Sequence, residues 1–401
     1  MHLLLTNCII NGGVQRNLRL VSWDSGALRI RDTGYAQTVA ANIWHRSNNK
    51  MKKLKTAALL LLLLLLLSSF SLICLGQSKK FADVDKALQM LEEKREFNGS
   101  VLVAKSGNII YQRNFGLADM EHGVAINAST KFELASVSKI FTALLILQLV
   151  EKGKIKLDAK VSDYIPEFTR RDSGEITIHH LLSHTSGIQD FVGLNCPFAS
   201  WTEKEFLEGL AKTPINFKVG TRFEYASSTY VLLRFVIERV TGNQYETNLQ
   251  EHILKPAGMS NSGVFHNAEI VVNRALGYIS TEKEFKNASP IASHEIFLGA
   301  ASIYSTAQDL QKFDQALYGN TLLGSKLKEQ MYTMVQPPYG YGWFINDDTS
   351  KGKVVAHGGD IFGFTTLLER RLKDKVLIVI LGNRQSIDRE EIVKLLNRTL
   401  K

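Results

Sequence analysis

The stretch Phe132-Glu133-Leu134-Ala135-Ser136-Val137-Ser138-Lys139, continued by the apolar series from Ile140 to Val150, decides how this chain is read. If a helix begins at Ser136, residues three apart share a face, and the Ser136 hydroxyl lies within reach of the Lys139 amine. A serine attacks nothing at neutral pH until a neighbour takes its proton. A lysine desolvated at the base of a buried helix can take it, because burial disfavours the charged form. The helix behind the pair is apolar almost all round (Ile140, Phe141, Ala143, Leu144, Leu145, Ile146, Leu147, Leu149, Val150), the pattern of a helix at the centre of a large core. Alone, Ser-x-x-Lys also fits a plain helix start with a capping serine and a solvated lysine, so the chemistry needs partners elsewhere in the chain.

The length of 401 residues allows two or three domains, and 45% apolar with 22% charged residues is ordinary for a globular enzyme. The formal charge of +9 hints at a polyanion partner until it is divided along the chain. Residues 1–76 carry nine Lys or Arg against Asp24 and Asp32, which leaves 39 bases and 37 acids for the rest. The body therefore has no electrostatic footprint for nucleic acid.

That front segment holds an export signal in an unusual place. Met51-Lys52-Lys53-Leu54-Lys55 is a charged n-region, Ala57 to Leu67 a leucine-rich h-region, and Ser68 to Gly76 ends in small residues suited to cleavage. Met51 is accordingly expected to be the true start, with residues 1–50 an upstream extension that shows no sustained period of 2 or 3.6, residues 51–76 the signal peptide and residues 77–401 the mature domain. The expected location is periplasmic or secreted. The alternative is an uncleaved membrane anchor over residues 57–75, since about 20 apolar residues span a bilayer. A lipoprotein at Cys74 ranks third, because Ile73 before it is bulky. With Cys8 and Cys74 lost, Cys196 stands alone, so no disulfide framework is expected, and it lacks a Cys/His cluster of metal spacing.

In the mature region a helix is expected over Phe81 to Arg95, then a hairpin of Ser100 to Lys105 and Asn108 to Phe115 joined by Ser106-Gly107. Gly116 to Asp119 reads as a turn. The helix of Ser136 ends at Gly153. Residues 154 to about 260 read as mostly helical: Ile176 to Leu182, Trp201 to Leu210, Ser228 to Val240 closed by Gly242, and Tyr245 to Leu254 stopped by Pro256. His184, between Ser183 and Thr185, reads as a hydrogen-bonding turn residue before it reads as a general base. Further on, Ile303 to Ser305 leads through Thr306 into a helix to Leu317, followed by a helix from Ser325 to Val335. Strand-like runs at Tyr341 to Ile345, Val354 to His357, Phe364 to Glu369 and Lys375 to Leu381 precede a final helix from Ile387 to Leu400. The fold class implied is α+β: an antiparallel sheet built from both chain ends, flanked by helices, with a helical domain inserted between.

Three sites line up along this organisation: Ser136-Val137-Ser138-Lys139, Tyr225-Ala226-Ser227 on a turn 89 residues later, and His357-Gly358-Gly359 another 132 residues on. With Leu182-Ser183-His184-Thr185-Ser186-Gly187 they resemble the serine β-lactamase and penicillin-binding family, in particular its class C-like branch with D,D-peptidases, D-aminopeptidases and esterases. The resemblance covers nearly all of residues 81 to 400. It implies a β-lactamase/transpeptidase-like fold and a serine hydrolase with no metal or other cofactor. Ser136 would form an acyl-enzyme, with Lys139 and Tyr225 sharing proton transfer. Tyr225, a phenol of ordinary pKa about 10, would be a base only if a cation such as Lys139 held its anion. The oxyanion would lie between the backbone N–H groups of Ser136 and Asp360, with Gly358 and Gly359 letting a strand edge approach the substrate.

Two departures bear on specificity. Ser227 stands where the family's Tyr-x-Asn motif has an amide, and His357 where the strand motif usually has a lysine that meets a substrate carboxylate. An imidazole of ordinary pKa about 6.5 at that place would be charged at pH 5.5 and mostly neutral at pH 7.5. Both departures turn the expectation from efficient β-lactam hydrolysis toward esters and toward peptide and amide substrates of other shapes; the partner expected is a small-molecule or peptide substrate, with cell-wall peptide as one candidate. The rival reading is a penicillin-recognising or cell-wall-binding protein with little turnover, against which stands the presence of Ser136, Lys139 and Tyr225 together.

Overall fold

The structure, a computed structural model, describes residues 19–24, 27–32, 38, 41–59 and 80–400, apart from 170–173, 191–200, 282–283, 289–293 and 349. Residues 60–79 and Cys196 lie outside the described residues, and with them most of the leucine-rich segment and the expected cleavage point. The chain divides into two compact units, Met1–Ser78 and Lys79–Lys401. In the first, strands Arg19–Asp24 and Ala27–Asp32 pair antiparallel with each other, and residues 41–59 form a helix that runs through Met51. Leu28 and Ile30 alternate with Arg29 and Arg31 just after Ser25-Gly26, a short hairpin signal.

The second unit is organised on a six-stranded antiparallel sheet. Its strands are β1 (Gly99–Lys105), β2 (Asn108–Phe115), β3 (Phe344–Asp348), β4 (Gly352–Ile361), β5 (Phe364–Arg371) and β6 (Val376–Gly382). The order across the sheet is β3-β4-β5-β6-β1-β2, so β1 from the front of the unit pairs with β6 from its end. The sheet comes from both ends of the chain, as the patterning implies. The helices used below are α1 (Ala82–Glu93), α2 (Ser138–Glu151), α3 (Ile178–Leu182), α4 (Glu203–Lys212), α5 (Ser227–Thr241), α6 (Ala307–Tyr318) and α7 (Arg389–Leu400).

β1 and β6 are apolar on both faces because each face is covered. Leu102, Ala104, Leu377, Val379 and Leu381 point into the core around α2, and Val101, Val103, Val376, Ile378 and Ile380 into a second core closed by Val84 and Leu88 of α1 and Ile392 and Leu396 of α7. Each of the Val, Leu and Ile side chains among them contributes roughly 1.5–3 kcal/mol by leaving water. Every residue of α2 from Ser138 to Leu149 is buried, including Lys139. A lysine in that position is a cost that packing does not explain.

Four local expectations are revised. Leu117–Asp119 is a short strand paired with Val124–Ala125 rather than a turn, the turn being confined to Gly116 at φ +77°. The helix from Tyr245 passes Pro256 and stops at Gly258; the turn Gln250–Leu254 widens to π geometry, and the His252 carbonyl, four residues before the proline, accepts from the Gln148 side-chain amide (3.1 Å). The helix from Ser325 ends at Met331, short of Val335, as the chain turns toward Pro337-Pro338. β3 starts at Phe344 rather than Tyr341. Gly342, at φ +78°, lies so close to α2 that a Cβ there would sit 2.8 Å from the Ala143 Cβ.

Candidate active site

The turn that presents Ser136 is held from two sides. Leu134 N–H donates to the carbonyl of Ile303 (2.8 Å), and the Thr366 hydroxyl of β5 donates to the carbonyl of Leu134 (2.8 Å). Ala135 is held at φ +50°, a left-handed conformation that costs a residue with a Cβ about 1 kcal/mol or more. Ala135–Val137 forms a 3₁₀ turn, and the α-helix proper starts at Ser138, two residues later than expected. In a 3₁₀ turn residues three apart eclipse, so Ser136 and Lys139 still fall one above the other.

Lys139 Nζ donates to Ser136 Oγ at 3.1 Å, to Ser227 Oγ at 3.4 Å and to the carbonyl of Ala300 at 3.1 Å. Its ammonium also lies 4.9 Å from the centre of the Tyr225 ring. Burial lowers its pKa from 10.5 to about 7, against a smaller upward pull from Asp190. None of its three hydrogen-bond acceptors is a carboxylate. At neutral pH a substantial fraction is thus the free amine, the form able to accept a proton from Ser136.

Tyr225 hydrogen bonds with Ser136, but its phenol is shifted up rather than down. Burial is the main cause, and Asp190 and Asp360 add to it while the Ser136 contact opposes it. The expected phenolate held by Lys139 is therefore not favoured. Tyr225 is a protonated phenol in touch with the nucleophile, able to pass a proton on.

His357 is 1% exposed. Its Nδ1 meets the carbonyl of Gly358 at 2.6 Å and its Nε2 the Tyr339 hydroxyl at 3.0 Å, a pairing that assigns the proton to Nδ1 and makes Nε2 the acceptor. Burial, with smaller contributions from Lys139 and Arg389, lowers its pKa to about 3. The expected pH switch between 5.5 and 7.5 is corrected: His357 is neutral throughout that range, because Tyr225, Tyr339 and Phe344 enclose it.

Ser136, Tyr225, Ser227, His357, Gly358 and Asp360 line one cavity of about 770 Å³. Gly359 serves a different end from the one expected. A Cβ there would sit 2.3 Å from the Leu134 carbonyl oxygen and 3.0 Å from the Ala135 Cβ, so this glycine lets β4 press on the nucleophile turn. Beyond these residues the cavity continues over Leu367 and Glu369 of β5 to Arg389, Glu390, Val393 and Lys394 of α7, none of which the motifs pointed to.

Two supporting residues complete the site. His184, fully buried at φ +55°, accepts the Ala226 N–H at its Nδ1 (3.3 Å), and its carbonyl accepts the Glu224 N–H (2.9 Å), clamping both sides of Tyr225. It is the turn residue expected, not a base; burial holds its pKa well below the usual range. Asp190, which sequence reasoning missed, accepts the N–H and hydroxyl of Ser228, each at 3.0 Å. α5 starts after Ala226, which has no capping side chain, so its cap has to come from a distant loop. That missing local cap was the available signal. Among the described residues no group of three His, Cys, Asp or Glu is placed to hold a metal ion, and no helix is long and apolar enough to cross a membrane.

Comparisons with known proteins agree with this geometry. The family model described as Beta-lactamase matches residues 84–399. Penicillin-binding protein 4* of Bacillus subtilis is 31% identical over 322 residues, covering 74% of this chain and 70% of the relative. The crystal structure of a penicillin binding protein from Bacillus halodurans superposes with TM-score 0.67 at 27% identity, covering 78% of this chain and 98% of that one. At the level of fold alone, the D-amino acid amidase of Ochrobactrum anthropi is similar, with TM-score 0.67 at 21% identity over 79% of this chain and 97% of its own. Match, nucleophile and sheet together lead to one conclusion: the chain belongs to the beta-lactamase family, with a serine hydrolase-like site.

Proposed function

We propose that the protein is an exported acyl-enzyme hydrolase of ester and amide carbonyls. The observation that carries this reading is the 3.1 Å contact between Ser136 Oγ and a wholly buried Lys139 whose pKa is lowered to about 7. In the cycle, neutral Lys139 takes the Ser136 proton as Oγ attacks the carbonyl carbon. The oxyanion forms between the backbone N–H groups of Ser136 and Asp360. Tyr225 gives its proton to the leaving group and recovers one from Lys139, and water then reverses the sequence to free the acid. Neutral His357 offers no cation to a substrate carboxylate, and Ser227 is shorter than the amide usual there, so esters and amides without that carboxylate fit the site better than penicillins do. Export is supported by the charged and leucine-rich segment from Met51 and by the compact unit beginning at Lys79, next to the expected new terminus at Gln77.

The test is a fluorophosphonate probe on the purified protein together with a panel of aryl esters, D-alanyl peptides and a chromogenic cephalosporin. A single label at Ser136, lost in Ser136→Ala, is expected, with kcat/KM larger for an ester than for the cephalosporin. Labelling at Ser138, Ser186 or Ser227, or a clear preference for the cephalosporin, would overturn the reading. Expression from Met51 in a Gram-negative host followed by N-terminal sequencing tests export: a terminus near Gln77 is expected, and one left at Met51 would refute it, while residues 1–50 found on the native protein would refute the start at Met51.

A further inference from the structure

Arg389, the first residue of α7, reaches back over the sheet to the strand that carries the proposed oxyanion donor. Its Nη1 donates to the carbonyls of Gly359 (3.1 Å) and Thr366 (3.0 Å), and its Nη2 to Asp360 Oδ2 (2.7 Å). The carbonyl of Gly359 and the N–H of Asp360 are the two ends of one peptide unit, and in a trans peptide they point opposite ways. A cation fixed on the carbonyl therefore turns the N–H outward and draws electron density from it, making it a stronger donor to an oxyanion. We propose that Arg389 is a positioning residue for the oxyanion site, acting through the Gly359–Asp360 peptide; this rests on the acyl-enzyme reading above.

Three observations separate this role from a plain surface ion pair. The Asp360 side chain is 55% exposed and that of Arg389 27%, and a pair so wet contributes little by itself. The guanidinium is shared over two backbone carbonyls, which an ion pair does not need. Gly358 is cleared for it: a Cβ there would lie 2.8 Å from Arg389 Nη1. This gives Gly358 a purpose different from that of Gly359, which accommodates the nucleophile turn. A cation in the first turn of a helix also opposes the helix dipole, so the placement has to be favoured by what the side chain meets across the sheet. With His357 neutral, Arg389 supplies the positive charge hydrogen-bonded to Gly359 and Asp360.

The experiment compares Arg389→Lys and Gly358→Ala with the parent protein on one aryl ester. Lysine keeps the charge but not the forked reach to two carbonyls, and alanine at 358 keeps Arg389 but crowds it off the peptide. Both should lower kcat about tenfold or more with KM within a factor of two, since a whole oxyanion donor is worth on the order of 100-fold. Affinity for an arylboronic acid, whose serine adduct carries an oxyanion, should fall by the same factor, while the pH limb near 7 set by Lys139 stays in place. Wild-type kcat in both variants, or a loss confined to KM with boronate affinity intact, would overturn the proposal while Ser136→Ala remained inactive. Turnover surviving in Ser136→Ala would instead overturn the acyl-enzyme reading beneath it.

Discussion

Among the described residues, Arg370 and Lys139 are both basic side chains at most 1% exposed, and the molecule treats them in opposite ways. Arg370 of β5, 1% exposed, holds Asp314 of α6 through a 2.6 Å bond to its carboxylate and donates to the Tyr332 hydroxyl at 2.5 Å. Burial pulls its pKa down, but Tyr332, Asp314 and Tyr318 outweigh that, and the net shift is upward. Lys139 is as deeply buried, yet its contacts are two hydroxyls and a carbonyl, and its pKa falls to about 7. The same desolvation leaves a strut where a carboxylate answers it and an amine with a lowered pKa where none does.

The largest effect to be sought is on turnover. Ser136→Ala should remove ester hydrolysis to background, and Lys139→Arg, which cannot shed its proton, should lower kcat about 10³-fold in steady-state assays with KM little changed. An active Lys139→Arg protein would break the contrast at its root.

Next comes stability, where the two sites should move in opposite directions. Arg370→Met leaves Asp314 buried without its partner and should cost about 3–5 kcal/mol in urea unfolding. Folded Lys139 holds its proton more weakly than the unfolded chain does. Stability from this group therefore rises with pH between about 7 and 10.5, and the burial penalty is fully present below that window. Lys139→Met should accordingly stabilise the protein at pH 6, by on the order of 3 kcal/mol, and much less at pH 10. Destabilisation by both methionine substitutions at pH 6 would show that Lys139 is held by its contacts as Arg370 is.

A smaller effect is the pH profile itself. kcat/KM should rise about tenfold per pH unit up to an inflection near 7, where Lys139 gives up its proton, and then level off; an inflection near 10 would mean an ordinary lysine. Smallest of all is the outcome at His357. Because it stays neutral down to about pH 3, KM for anionic and neutral substrates should follow the same course between pH 5.5 and 7.5. A KM that fell with pH for the anionic substrate alone would return His357 to the role of a charge reader.

What could be read from the sequence was whatever local order determines. The Ser136–Lys139 pair, the hairpin of β1 and β2, α5 with its closing Gly242 and the sheet drawn from both ends follow from spacing, turn residues and apolar period. What could not be read depends on distant neighbours. Neutral His357 is a product of the rings of Tyr339 and Phe344, the Asp190 cap crosses from another loop, and Arg389 carries no motif because its targets are backbone atoms. Leu117–Asp119 became a strand only because Val124–Ala125 lies beside it. The Tyr225 phenolate failed for a related reason: burial of the phenol itself disfavours its anion, and Asp190 and Asp360 add to that.

The pairing of β1 with β6 also sets a timetable. Leu102 lies opposite Val379, so the middle of the sheet joins segments at the two extremes of the unit, a contact whose loop-closure cost is met only once almost the whole chain is present. Ser136 belongs to the early half and Asp360 to the late one. While the chain grows from its N-terminus, Ser136 emerges long before the strand that presses Gly359 against its turn. A nascent or truncated chain ending before Val376 therefore lacks the central join, and the finished cavity around Ser136 is among the last things its synthesis can confer.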